Sequence, residues 1–203
     1  MALTSRPSRP AHRPSRRADI VEAAIRVFAG SGPRASMVSI AKEAGMNPTA
    51  LYYHFSGKDE LFTAAVEVIA RRIEAATETR ESAAHTPLRM LDAVETVWQW
   101  SEYHRSEAQV LYSWAASGPR EARKIRGDFI DFYREKAILR IPVDDEHSAL
   151  NATVARLAVR SYLTLAMAMS ESWVSGQSIG DTTDRSEIVL TLALVSSRLT
   201  GAR

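Results

Sequence analysis

The 203-residue chain contains no cysteine. Disulfides, thiolate metal sites and a cysteine nucleophile are excluded together, and the absence fits a reducing compartment. Long apolar stretches are also missing. The longest, around Tyr162–Met169 and Ile188–Val195, run to about eight residues, against roughly 20 needed to span a bilayer. No apolar segment follows the basic start as it would in a secretory signal, and Pro7, Pro10 and Pro14 would break the amphipathic helix of a transit peptide. A Gly-rich phosphate loop, a paired-His metal spacing and a nucleophile motif are all lacking, so no enzyme, catalytic residue, cofactor or metal site is expected. The run Asp144-Asp145-Glu146-His147 holds ligand-type residues, but beside Pro142 it reads as a solvated loop.

What is present is the make-up of a globular protein: 45% hydrophobic and 25% charged residues. The net charge of +2 is unevenly placed. Residues 1–60 carry nine Lys/Arg and five Asp/Glu, and the remainder carries seventeen and nineteen. Arg6, Arg9, Arg13, Arg16 and Arg17 stand in the first 17 residues without an acid, which suggests a nucleic-acid-facing end on a neutral body. Residues 1–15, with proline every three or four positions, read as a disordered basic arm.

From there the periodicity is helical. Ile20, Ala24, Val27 and Phe28 share a face, and Gly30 and Gly32 end the first helix. A short helix spans Met37–Ala44 with Ser36 as N-cap. Asn47-Pro48 restarts a third, with Asn as cap and Pro at the first helical position, running to about His54. Lys58 opens a long fourth helix to about Ser82. Further helices are expected over Pro87–His104, Glu107–Ser117, Arg120–Leu139, Ala149–Val174 and Arg185–Thr200, with loops at Pro142–His147 and Gly176–Asp184. No segment alternates with period two, so the fold class is all-α, with about nine helices.

The informative stretch runs from Ser39 to Phe55. A helix-turn-helix needs a small residue where its helices cross, which Ala41 supplies, and a residue tolerant of positive φ in the turn, which Gly45 supplies four positions later. Ile40, Ala44, Met46, Leu51 and Phe55 are spaced to lock the second helix onto the first. A generic two-helix hairpin would show part of this pattern. Ala50-Leu51-Tyr52-Tyr53-His54-Phe55-Ser56-Gly57-Lys58, with the first helix from Ile20 to Gly32 and Lys58-Asp59-Glu60-Leu61-Phe62 after it, resembles the DNA-binding domain of TetR/AcrR-family regulators. The likeness covers roughly residues 16–65. Beyond it only length and helical order agree.

The resemblance implies residues 1–15 as an arm, 16–62 as a three-helix DNA-binding domain and 63–203 as a helical bundle for ligand binding and dimerisation. It also implies that Tyr52, His54 and Lys58 clamp the phosphate backbone, while Asn47, Pro48, Thr49 and Ala50 face the major groove of a double-stranded operator. Ser36 and Ser39 would add phosphate bonds from the second helix. Tyr53 is counted with the DNA-binding set, although one of the two adjacent tyrosines is expected to pack inward. Lys58 opens a helix whose free N–H groups also favour a phosphate. The arginine arm either follows a minor groove or adds non-specific affinity.

The last two helices, about 149–174 and 185–200, are apolar nearly all round and need cover on every side. The resemblance implies that this cover is a second protomer, a homodimer suited to successive major grooves. Aromatics gather in the middle helices. Trp98, Trp114, Phe129, Phe132 and Tyr162 are candidate lining for a small apolar or aromatic effector, although core filling accounts for each alone. Glu95, Arg126, Asp128 and Arg160 are interleaved and able to orient a polar group. The expected function is a cytoplasmic, ligand-responsive transcriptional repressor released from a palindromic operator by its effector. An activator, or an architectural DNA-binding protein of the same fold without an effector, stays open.

Overall fold

The computed structural model describes residues 16–84, 90–138, 148–174 and 176. Eight α-helices follow one another there, and no strand occurs among the described residues. The expected arm (1–15), the loop at 142–147 and the last helix (185–200) lie outside them.

Helix α1 (Arg16–Ser31) buries Ile20, Val21, Ala24, Ile25 and Phe28 along one face. It stops at Gly32, whose φ of 50° suits glycine and costs other residues; a single 3-10 turn over Gly32–Arg34 follows. Helix α2 (Met37–Glu43) starts on the expected cap as a reciprocal box. The Ser36 hydroxyl accepts from the Ser39 amide, and the Ser39 hydroxyl accepts from the Ser36 amide, both at 3.1 Å. Gly45, at φ 64°, makes the turn into α3 (Pro48–Tyr52), where Asn47 Oδ1 accepts from the Thr49 amide at 2.8 Å.

Helix α3 is shorter than expected. It closes at Tyr52, and the amides of His54 and Phe55 both return to the Leu51 carbonyl, at 3.0 and 3.1 Å. That tight turn lets Leu51 and Phe55 reach the core, where both are buried.

Helix α4 (Lys58–Ala84) is the hub, about 40 Å long at 1.5 Å per residue. Its buried stripe of Leu61, Ala65, Ile69 and Ile73 repeats every four residues, and the helix packs against α1, α5 (Met90–Tyr103) and α7 (Arg120–Ile138). The boundary expected between residues 62 and 63 falls inside this helix, so the helix-turn-helix and the bundle share one rigid rod. Between α5 and α7 lies α6 (Arg105–Gln109), which continues as a π-helical turn, Val110–Trp114, rather than as plain α-helix. Helix α8 (Ser148–Val174) packs across α7, α6, α5 and the π turn. One continuous apolar core runs from Ile20 through Leu61 and Leu111 to Val174.

Candidate nucleic-acid interface and its link to the bundle

The helix-turn-helix is held by its apolar residues in the expected roles. Ile40, Ala41, Leu51 and Phe55 are buried, and Met46 packs partly buried against the same core. Arg17 of α1 lays its guanidinium over the Phe55 ring, 4.4 Å from the centroid, and reaches Glu60 at 3.7 Å. Glu60 in turn accepts from both the amide and the hydroxyl of Ser56 at 2.7 Å. Those bonds, the amide first, hold its carboxyl below the usual carboxylate range. The exit of α3 and the entry of α4 are thus fastened to each other and to α1.

This fastening leaves the reading surface open. Tyr52 is 54% exposed and Tyr53 85% exposed. The expectation that one of them packs inward is therefore corrected: Leu51 and Phe55 fill the inward positions, and both phenols project to solvent. Asn47 and Thr49 are exposed, while Pro48, Ala50 and His54 are half-buried. These residues form one contiguous segment at the tip of the domain, with Val38 of α2 also exposed.

Besides Asn47, which caps α3, three of the candidate residues have structural partners as well. Ser36 and Ser39 serve the α2 cap, and the Ser39 hydroxyl donates to the Ser36 carbonyl at 2.8 Å. Lys58 donates from Nζ to the Pro33 carbonyl at 2.9 Å, tying the start of α4 to the 3-10 turn after α1. Its ammonium has two further protons.

The joint between reading domain and bundle was not legible in the sequence. Phe28 and Phe62 meet edge to face at 4.9 Å. Beside them Trp114, on the π turn, lies against Gly32 so closely that a Cβ there would sit 2.8 Å from the ring. A Cβ on Gly118 would sit 2.7 Å from the Phe62 ring. These residues, with Pro33, Lys58, Asp59, Ser117 and Pro119, line a crevice of about 310 Å³. Deeper in, Arg72 of α4 pairs with Glu22 of α1 and with Glu107 of α6, the latter at 3.3 Å. The only sequence hint was the pair of helix-breaking segments, Gly32-Pro33 and Gly118-Pro119, which the fold brings face to face.

The five aromatics expected to line an effector pocket do not lie together. Trp114 belongs to the joint. Phe132 is 39% exposed, on the outer side of α7, where it meets Tyr133 edge to face. Trp98, Phe129 and Tyr162 are buried in the bundle. Trp98 faces Trp173 with centroids 5.5 Å apart, and Phe129 packs on Tyr133. Of the interleaved charges, Asp128 pairs with Lys124 at 2.6 Å on the surface and Arg160 is exposed, whereas Nε of Arg126 is buried without a partner. The side chain of Glu95 lies outside the described residues. No group of three or more His, Asp or Glu gathers as a metal set, and no helix is long and apolar enough to cross a membrane, among the described residues.

A helix-turn-helix presented on one end of a helical bundle defines a class of DNA-reading proteins. The comparisons narrow it. Residues 20–65 match the family described as "Bacterial regulatory proteins, tetR family". The HTH-type transcriptional regulator BetI of Rhizobium meliloti (strain 1021) is 30% identical over 109 residues, 47% of this chain and 53% of that protein. The chain spans about half the length of the curated relatives it matches. Among solved structures, a TetR-like transcriptional regulator from Rhodococcus sp. RHA1 superposes with a TM-score of 0.67 at 19% identity, covering 95% of this chain and 100% of the other. The transcriptional regulator FadR from Bacillus subtilis in complex with stearoyl-CoA gives 0.65 at 15%, covering 92% and 98%. The match to that family is confined to residues 20–65, and the solved structures, at 19% and 15% identity, show a shared fold.

Proposed function

We propose that the protein is a ligand-responsive transcriptional repressor that binds a two-fold-symmetric operator as a homodimer. The carrying observation is the tip of the reading domain. Thr49, Tyr52 and Tyr53 project from a short helix that is capped by Asn47, seated by Leu51 and Phe55, and braced by Arg17 and Glu60. Exposed side chains on a backbone fixed at both ends make a reading head: phosphate contacts set its register, and the N-terminal residues of α3 meet base edges.

Dimerisation is supported by α8. Leu157, Ser161, Thr164, Leu165 and Ala168 are exposed, and their spacing of four, three, one and three places them on one face. Leu157 is 58% exposed, and a large apolar side chain continuous with small neighbours suits a helix pair between protomers. Tyr162, Ala166 and Met169 occupy the opposite, buried face.

The effector reading is supported by the bundle interior and by the bound ligand that FadR carries. Helix α4 is the lever, running from the Lys58–Pro33 bond into the body of the bundle. An effector shifts the dimer from DNA only by binding its two arrangements unequally. Selection of bound duplexes from a random pool, followed by a screen for small molecules that release them, tests the proposal. The expected result is a palindrome with half-sites about 34–36 Å apart and at least one releasing compound. A symmetric site that no compound releases would favour the architectural reading. Recovery of unselected sequence would refute sequence-specific regulation.

A further inference from the structure

Burial of apolar surface is strong but not directional, so apolar packing alone leaves two helices free to settle at several similar angles. A guanidinium fork is directional, because its planar N–H groups match a carboxylate in one arrangement. The structure places such a fork where the reading domain meets the bundle. Arg72 sits on α4, about 21 Å along the helix from Lys58 at roughly 1.5 Å per residue. Its Nη2 donates to Oε1 of Glu22 on α1, and its Nη1 donates to Oε2 of the same carboxylate at 3.3 Å. Nη1 also donates to Oε1 of Glu107 on α6, again at 3.3 Å. One side chain thus ties α1 of the reading domain to α6 of the bundle, two helices that pack directly on each other.

The bundle-side partner is itself held. Oε1 of Glu107 also meets Nδ1 of His104 at 3.4 Å, and the His104 ring stacks on Trp100 of α5 with centroids 4.5 Å apart. The Glu107 side chain is 15% exposed, which sets this bridge apart from surface ion pairs of little consequence. Glu22 Oε2 and Glu107 Oε1 both lie 3.3 Å from the one nitrogen. Without that nitrogen, two carboxylates face each other across the contact of α1 with α6, and their repulsion opposes it. The charge on Arg72 therefore turns a disfavoured approach into a favoured one at a single angle. None of these bonds involves the reading segment, Asn47–Lys58.

We infer that Arg72 is a positioning residue for operator recognition. It fixes the angle of α1 against α6, and so the separation of the two reading heads of a dimer, which restricts the protein to one half-site spacing. This inference rests on the proposed homodimeric operator reading. One base pair added between half-sites displaces them by about 3.4 Å and turns them by roughly a tenth of a helical turn. Heads held at a fixed angle do not follow that change, whereas heads released from the bridge can.

Three kinds of duplex test this on the full chain by fluorescence anisotropy at fixed salt: the selected operator, the same half-sites with one base pair added or removed between them, and a single half-site. The parent is expected to bind the selected spacing about tenfold or more tighter than either altered one, the scale of a charge-assisted hydrogen bond. Arg72→Met, which keeps the apolar stem, is expected to lower that ratio to about threefold or less, with single half-site affinity kept within about twofold. Arg72→Lys, which keeps the charge but not the fork, should fall between them. A residue that only stabilised the fold would weaken every duplex alike, so the ratio is the readout. Thermal melting controls for folding. If Arg72→Met fails to fold, Glu22→Gln carries the test, with the ratio expected to drop about twofold or more. A folded variant with the parent's ratio, or one that loses half-site binding in proportion, would overturn the positioning role while leaving the operator reading intact. A parent that binds every spacing alike would overturn the positioning role and the two-fold operator together.

Discussion

Gly32→Ala gives the sharpest test of the joint, because the structure separates its cost into two parts. At φ 50° an alanine carries the left-handed backbone penalty, about 1–2 kcal/mol. Its Cβ would also stand 2.8, 2.9 and 3.0 Å from Cε2, Cζ2 and Cδ2 of Trp114. Forcing that ring aside adds the cost of an overpacked core, roughly 1–3 kcal/mol. Gly45→Ala provides the backbone part alone, since its φ is 64° and nothing lies within 4 Å of its Cβ. Gly118→Ala provides the crowding part alone, against the Phe62 ring at 2.7 Å. Urea denaturation should rank Gly32→Ala worst, at about 2–5 kcal/mol, with Gly45→Ala at about 1–2 kcal/mol and Gly118→Ala at about 1–3 kcal/mol. In a Trp114→Leu background the Gly32→Ala penalty should shrink toward that of Gly45→Ala, because the ring it strikes is gone. Equal costs for Gly32→Ala and Gly45→Ala, or no coupling to position 114, would refute the packed joint and with it the route from bundle to reading head.

Other consequences are separately measurable. Asn47→Ala removes the acceptor for the Thr49 amide and should cost about 1 kcal/mol of stability, with a parallel loss of DNA affinity; Asn47→Ser, which can still cap, should recover most of both. Leu157→Glu alters an exposed position on the proposed interface, so light scattering is expected to show a dimer for the parent and a folded monomer for the variant; a dimeric variant would move the interface elsewhere. Burial pushes the Tyr162 phenol up to about 12 from an ordinary value of 10.0. The unfolded chain therefore loses this proton first, and the contribution of Tyr162 is intact below pH 10.0 and declines as pH rises toward about 12. Tyr162→Phe should flatten that alkaline loss of stability, and an unaltered alkaline limb would contradict it.

Local chemistry explains what was legible in the sequence. Caps, prolines at first helical positions and a positive-φ glycine act over three or four residues, so Ser36, Asn47-Pro48 and Gly45 mark α2, α3 and their turn directly. The stripe of Leu61, Ala65, Ile69 and Ile73 likewise gives α4 by period alone. What period cannot give is which of several inward options a short helix takes. Five residues of α3 offer barely more than one turn, and the pairing of Leu51 with Phe55 decided that Tyr52 and Tyr53 face outward. The π turn was read as ordinary helix because one extra residue per turn leaves no compositional trace in Val110–Trp114. Trp114 was placed in a pocket for the same reason: its role depends on Gly32, 82 positions earlier, and long-range proximity of this kind is absent from a linear pattern. The Arg72 bridge is also invisible in sequence, where Glu22, Arg72 and Glu107 look like ordinary charges of amphipathic helices.

The central claim is that the tip of α3 reads duplex DNA. Thr49→Ala with Tyr52→Ala truncates two exposed side chains, so folding and dimerisation should be retained and any change in DNA affinity reports on the interface itself. Fluorescence anisotropy on the selected operator, at fixed salt, should show affinity falling at least tenfold, about 1.4 kcal/mol or more, with the melting temperature unchanged. Parent-level affinity in that folded double variant would contradict the assignment of this surface to DNA.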